Sequence, residues 1–313
     1  MLTLAGIDIG TNTLRLLIAR FSSDGQYYKM ESGRHITRLG EDISKTGRLK
    51  KEAMDRATGV LEGFSRTCGK YQPDGIYAVA TSAVREASNG ADFIRMVKTK
   101  TGLDVDIISG DEEASLTMLG VSSGLDIEDK DIFLIDIGGG STEFIFASGG
   151  KILHKVSTDI GVVRFTEQYL HSDPPEKREI ALLETAIEER LKSITAFNDL
   201  SRIGGVSFIG TAGTVTTLAA IEQKMTVYDT GKINGYRISK DGIKKIRTML
   251  SNMTIQKRRE IPGIENGRED IILTGAIVVD KVMEWFKFSD IVVCDSGLRE
   301  GLVIDLYNRL SKA

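Results

Sequence analysis

Asp136 and Glu143 stand seven positions apart around a glycine triplet in the stretch Ile132–Phe146, IFLIDIGGGSTEFIF. Carboxylates at this spacing can flank one bend and hold a divalent cation. Between them, Gly138, Gly139 and Gly140 let the backbone approach an anion, so that successive N–H groups point at its oxygens. Ser141 and Thr142 add hydroxyls. The chemistry indicated is a grip on a phosphate and its counter-cation. A second bend, Asp8-Ile-Gly10-Thr11-Asn12-Thr13, makes a similar offer of carboxylate, backbone and polar side chains. Set without a gap, residues 8–19 and 136–147 match at Asp, Ile and Gly, then Thr13 with Ser141, then an apolar run ending in Ala, 128 positions apart throughout. Each copy is followed by a hairpin signal, Asp24-Gly25 in one and Ser148-Gly149-Gly150 in the other, which points to an internal duplication. One such turn reads equally well as a structural hairpin with Gly and Asn; the pair favours phosphate.

Gly210-Thr211-Ala212-Gly213-Thr214 follows a strand and opens a helix, where N–H groups and the helix dipole suit an anion. An ordinary N-cap supplied by Thr214 would also explain it. Gly110-Asp111-Glu112-Glu113 ends another strand. Acidic residues are favoured in a helix first turn, yet one carboxylate here is a candidate general base for water. Spacing leaves all three open. Arg15, Arg38, Arg85, Arg164, Arg268 and Arg299 lie beside turn or glycine signals, and guanidinium suits phosphate. Arg85, directly after a Thr-Ser-Ala strand end, is the best placed. Lys244-Lys245-x-Arg247 and Lys257-Arg258-Arg259 read as exposed helix faces or guides for a polyanion. No P-loop, GxSxG elbow, HExxH or Cys/His cluster occurs.

Each copy of the turn needs strands to carry it. The first half reads as strands Leu2–Ile9 and Leu14–Phe21 with a return strand Gln26–Glu31, a helix over 50–71, strand Ile76–Ala80, a helix 91–100 stopped by Gly102, and strand Val105–Ser109 opening a helix to Val121. The second half has a return strand through Val156, a long helix Pro175–Asp199, strand Val206–Ile209 with a helix to Lys224, strand Ile291–Cys294, and a last helix Leu302–Leu310. This is a pair of related α/β domains with mixed or parallel sheets. The expected division is 1–125 and 126–297, with the C-terminal helix 298–313 a candidate addition to the first domain. A cleft between them would set the glycine turns face to face.

At 313 residues two domains are expected. Apolar and charged fractions of 41% and 27% are those of a soluble globular protein. No apolar run nears the roughly 18 residues of a membrane span, and the N-terminus lacks a signal-peptide pattern, so no membrane is expected. Cys68 and Cys294 have no metal-ligand spacing and read as buried, reduced thiols, which fits a cytoplasmic protein. A net charge of −3 argues against nucleic acid as a partner.

The DxG turns resemble the phosphate loops of the actin and sugar-kinase superfamily. More narrowly, the chain resembles the exopolyphosphatase / guanosine pentaphosphate phosphatase (Ppx/GppA) family. The likeness is carried by AGIDIGTNTLRLLIA, TRLGEDISKTGRLKKEAMDRA, VATSAVREASNGADF, IISGDEEASLTMLGV, FLIDIGGGSTEFIF, GVVRFTEQY, FIGTAGTVTTLAA, GREDIILTGAIVV and DSGLREGL, in the family's order. Thr13 stands where members often have Ser. The chain stops soon after DSGLREGL, so it resembles short members without HD-like domains. The resemblance implies two ribonuclease H-like (actin-like ATPase) domains flanking a central cleft, a homodimer, and Mg²⁺-assisted hydrolysis of a terminal phosphoanhydride. It implies Glu113 as the catalytic carboxylate, Asp136 and Glu143 at the Mg²⁺ site, and phosphate contacts at Asn12, Arg85, Gly138–Thr142 and the GTAGT loop.

The mechanism expected from this has Mg²⁺ at Asp136 and Glu143, water activated by Glu113, and charge stabilised by Arg85 and backbone amides. A raised Glu113 pKa is expected from a partly closed cleft with other carboxylates nearby. The substrate expected is inorganic polyphosphate, with guanosine pentaphosphate (pppGpp) as the rival. A kinase of the superfamily and a non-catalytic polyphosphate or alarmone sensor are the other readings.

Overall fold

Alternation of apolar runs with tight turns makes two hairpin-led sheets. The computed structural model describes residues 1–197 and 204–312. They form two compact units, Met1–Ser123 with Gly297–Ala313, and Gly124–Ser296. In the first, β1 (Leu2–Ile9), β2 (Thr13–Phe21), β3 (Tyr27–Ile36), β4 (Gly75–Ala80) and β5 (Val105–Ile107) lie in the order β3-β2-β1-β4-β5. The β1-β2-β3 meander is antiparallel; β4 and β5 join parallel. β1 is apolar along nearly its whole length because both its faces are covered. Ala5, Ile7 and Ile9 meet the helices Lys51–Tyr71 and Gly90–Thr101, while Leu4, Leu17 and Phe21 meet Val303, Leu306 and Tyr307 of the helix Leu298–Leu310.

In the second unit, β6 (Ile132–Ile137), β7 (Thr142–Ser148), β8 (Lys151–Thr158), β9 (Ser207–Thr211), β10 (Arg237–Ser239) and β11 (Asp290–Val293) take the order β10-β11-β9-β6-β7-β8. Apart from the antiparallel edge strand β10, this repeats the first sheet. The copies agree in detail. Ile9 pairs with Leu14 and Ile137 with Thr142; the Gly10 N–H donates to Thr13 O at 3.1 Å and the Gly138 N–H to Ser141 O at 2.9 Å. Register shifts fall at Ile18/Ala19 and at Phe146/Ala147, again 128 positions apart. Phe133 anchors the core of this unit, with ring centroids 4.7 Å from Phe286 and 5.8 Å from Phe208.

Several boundaries differ from expectation. The return strands run on to Ile36 and Thr158, since each keeps pairing with a long partner strand. The helix foreseen over 175–199 spans Lys177–Ser193, begun by a capping box of Glu176 and Glu179, and a 3-10 turn Thr195–Phe197 follows. Residues 198 and 199 lie outside the described residues. The helices Val162–Tyr169, Lys240–Ser251 and Ile272–Trp285 and the strand β10 add to the elements read from the sequence. No helix among the described residues is long and apolar enough to cross a membrane.

Candidate active site

The hairpin register sets Asp136 directly opposite Glu143. Both are buried, at 7% and 1% exposure. Side chains opposite one another on paired strands lie on one face, where like charges repel. Glu143 accepts a hydrogen bond from Ser157 Oγ at 2.7 Å. Among the described residues no group of three or more His, Cys, Asp and Glu is placed to share a metal. A cation bound by two carboxylates and completed by waters and phosphate oxygens is the Mg²⁺ pattern, so this donor set fits it. In the first copy Arg15 stands opposite Asp8 where Glu143 stands in the second, which leaves the acidic pair to the second hairpin alone.

The glycine turn is held by its carbonyls. Val162 and Val163 N–H donate to Gly138 O and Gly139 O, and Arg164 Nε donates to Gly140 O at 3.2 Å. The N–H groups of Gly139, Gly140 and Ser141 donate to no backbone carbonyl among the described residues. That is the polarity an anion requires. Thr142 Oγ1 is spent on Ile160 O, so Thr142 supports the turn rather than offering its hydroxyl. A Cβ on Gly161 would lie 2.3 Å from Gly140 C, and that close backbone approach demands glycine.

In the first unit, Thr11 O accepts from Gly40 N, and Asn12 O from Thr37 N and Arg38 N. Asp8, Thr11, Asn12 and Thr13 are all buried. The Asn12 Nδ2 donor is buried with no partner among the described residues. An orphaned buried donor costs about 1–3 kcal/mol unless a ligand accepts from it.

The acidic trio Asp111, Glu112 and Glu113 divides by environment. Glu112 folds back to accept from Ser109 N and Oγ at 2.8 and 2.9 Å, a helix cap. Asp111 is exposed; Glu113 is buried at 7% exposure. Arg85 Nη1 donates to Ile108 O at 2.8 Å and to Glu113 Oε2 at 3.3 Å. The Arg85 guanidinium lies against the Glu113 carboxylate and fixes its orientation.

Thr211 and Thr214 of the loop Gly210–Thr214 both turn inward. Thr211 Oγ1 donates to Ser296 O at 2.8 Å and Thr214 Oγ1 to Ile137 O at 3.2 Å. Thr214 is therefore not the N-cap: the helix Ala212–Glu222 starts after Thr211, and no side chain caps it. Ala212 has φ 66, a left-handed conformation uncommon outside glycine. Thr211 pairs with Asp136 between β9 and β6, so this loop and the acidic hairpin are neighbours in one sheet.

With this geometry in view, the Ppx/GppA phosphatase family pattern matches residues 17–310. The chain belongs to the Ppx/GppA phosphatase family. It is 32% identical to exopolyphosphatase 2 of Mycobacterium tuberculosis, over 96% of this chain and 98% of that one. It is 35% identical to a bifunctional 3-dehydroquinate synthase/phosphatase of Fusobacterium nucleatum, over 96% of this chain but spanning only 46% of that relative's length. Among solved structures, the Ppx/GppA family member of Aquifex aeolicus aligns over 100% of this chain and 99% of its own, with TM-score 0.82 and 30% identity. An exopolyphosphatase from Cytophaga hutchinsonii aligns over 99% and 98%, with TM-score 0.89 and 29% identity. The α/β, two-sheet, actin-like fold is that of these family members.

The fold also engages residues whose roles spacing did not reveal. Arg164 was visible only as an arginine near glycine; it holds the Gly140 carbonyl. Arg268 lies against Gly213, where a Cβ would sit 2.2 Å from its guanidinium. Arg299 pairs with Glu300, which accepts from Gly297 N and so starts the last helix. No periodicity in the sequence could foretell these tertiary contacts.

Proposed function

We propose that this Ppx/GppA family chain is an exopolyphosphatase that hydrolyses the terminal phosphoanhydride of inorganic polyphosphate and releases orthophosphate. The observation that carries the reading is the buried Asp136–Glu143 pair, directly opposed beside a turn whose Gly139, Gly140 and Ser141 N–H groups donate to no backbone carbonyl among the described residues. The exopolyphosphatase names of the full-length relatives favour polyphosphate over pppGpp.

Asp136 and Glu143 would hold Mg²⁺, which when bound supplies charge neutralisation for phosphate oxygens. Asp8, Gly10, Thr11, Asn12 and Thr13 form one phosphate grip, and the Asn12 amide gains its missing acceptor there. Gly138, Gly139, Gly140 and Ser141 form the second, braced by Thr142 through Ile160 O, and Gly210–Thr214 the third. Glu113 accepts the proton of the attacking water or orients it, and Arg85 fixes the carboxylate and balances charge on the equatorial oxygens. The enzyme is taken as a cytoplasmic homodimer, which sedimentation would check.

Glu113→Gln keeps the shape and removes the base. Phosphate release from long-chain polyphosphate with Mg²⁺ should fall about 10²–10⁴-fold with little change in Tm. Survival of near-normal turnover would sink the assignment of Glu113. Faster release from pppGpp than from polyphosphate would overturn the choice of substrate. Tight polyphosphate binding by the wild type without turnover would make it a sensor.

A further inference from the structure

Arg258 is the largest fully buried side chain of the described residues, at 1% exposure. A buried guanidinium is costly unless it is paired. Yet Arg258 donates only to backbone, from Nε to Leu250 O at 3.1 Å and from Nη1 to Glu269 O at 3.3 Å. Its Nη2 has no partner among the described residues. A leucine or methionine would fill this core position at lower cost, so the charge calls for a reason beyond packing.

The reason lies in what the bonded segment carries. Glu269, itself 4% exposed, accepts from Gly267 N at 2.5 Å and from Arg259 Nε at 2.7 Å. Residues on both sides of Arg268 are thereby clamped, Gly267 through its N–H and Glu269 through its carbonyl. The Arg268 N–H closes a further turn onto Glu265 O, and Ile271 and Ile272 N–H return to Arg268 O. The Arg268 guanidinium, 5% exposed, is pressed on Gly213 in the Gly210–Thr214 loop, too close for any Cβ there. Behind the loop, a Cβ on Gly275 would meet Thr214 Cγ2 at 2.4 Å, so the helix Ile272–Trp285 that follows the clamp also supports it.

We propose that Arg258 and Glu269 are positioning residues for substrate binding, holding the Arg268 guanidinium against Gly213 and so fixing the conformation and charge of that loop. This rests on the reading of Gly210–Thr214 as a phosphate-binding loop. Neither residue touches substrate; both act through Arg268.

The test is a cycle of variants in the full chain, assayed for phosphate release from long-chain polyphosphate with Mg²⁺ and for tripolyphosphate affinity by calorimetry. Glu269→Gln should raise KM about fivefold while kcat changes by less than about twofold, and should weaken tripolyphosphate to a similar degree. In an Arg268→Ala background the same substitution should add nothing to either quantity. If Glu269→Gln does not fold, Arg258→Lys keeps the charge but loses the planar fork, and should give the same pattern. A KM unchanged in Glu269→Gln, or a rise equally large in the Arg268→Ala background, overturns the proposal and leaves a purely structural clamp. A wild type that releases no phosphate overturns the functional reading instead, and the tripolyphosphate cycle then decides the clamp by itself. Failure of the wild type to bind tripolyphosphate overturns both.

Discussion

Asp136 and Glu143 share one rung of a hairpin, and their mutual repulsion is a built-in cost that a cation would relieve. Glu143→Gln keeps the acceptor for Ser157 Oγ and removes one charge. In EDTA its Tm should rise by about 2–4 °C, for a relief of ~1 kcal/mol, whereas Mg²⁺ should stabilise the wild type and not the variant; scanning calorimetry with and without the metal checks the crossing. Asn12→Ala removes an orphaned donor. Stability should hold or improve slightly, while kcat/KM falls about 10–100-fold for a lost bond to a charged ligand. Burial pushes the Cys68 thiol up to about 11, and Cys294 is buried too. Neither should react with a thiol reagent at neutral pH until the chain is unfolded. The acidic pair was legible in the sequence because a tight turn between period-two strands determines which residues oppose. Glu113 was not separable from Asp111 and Glu112, because all three suit a helix first turn equally. Burial against Arg85 and the backward fold of Glu112 onto Ser109 distinguish them, and both are tertiary facts.

The helices Gly110–Gly124 and Leu298–Leu310 cross in the first unit at a contact that only glycine permits. A Cβ on Gly120 would lie 1.8 Å from Gly297 O, and one on Gly301 would lie 1.9 Å from Leu116 O. Because backbone is what the added atom meets, one helix must move. Gly301→Ala should cost about 1–3 kcal/mol. It should also lower kcat more than it raises KM, since the displaced helix carries Glu113; steady-state kinetics on the folded fraction reads the difference. Amphipathic helices such as Lys51–Tyr71 were readable from their period. The helix Ile272–Trp285 was not, because it is buried on nearly every side and its apolar run has no polar face to mark a turn. Trp285 at its end is 37% exposed.

Across the molecule, carboxylates held low by their partners govern behaviour in acid. Burial raises Glu269, but hydrogen bonds from its own and the Gly267 N–H and from Arg259 more than offset this. Burial likewise raises Asp159, and Arg190 and Arg164 bring it below the usual range. A folded-state pKa below the unfolded value gives stability that is complete above the unfolded value, about 4, and is lost as pH falls through the folded one. Urea midpoints should therefore decline below about pH 4.5, and Glu269→Gln should show a shallower decline. The duplicated architecture was legible from the 128-residue offset, whereas the extra edge strand β10, three residues long, left too short a pattern to find. One face of the first sheet, with Leu4, Leu17 and Phe21, is sealed by Val303 and its neighbours, and all of Gly124–Ser296 intervenes in the chain before that seal arrives. During synthesis the second unit, continuous in sequence, can therefore close while the first still exposes an apolar face. The order of folding should run against the order of translation, and the nascent first sheet is where a chaperone would bind.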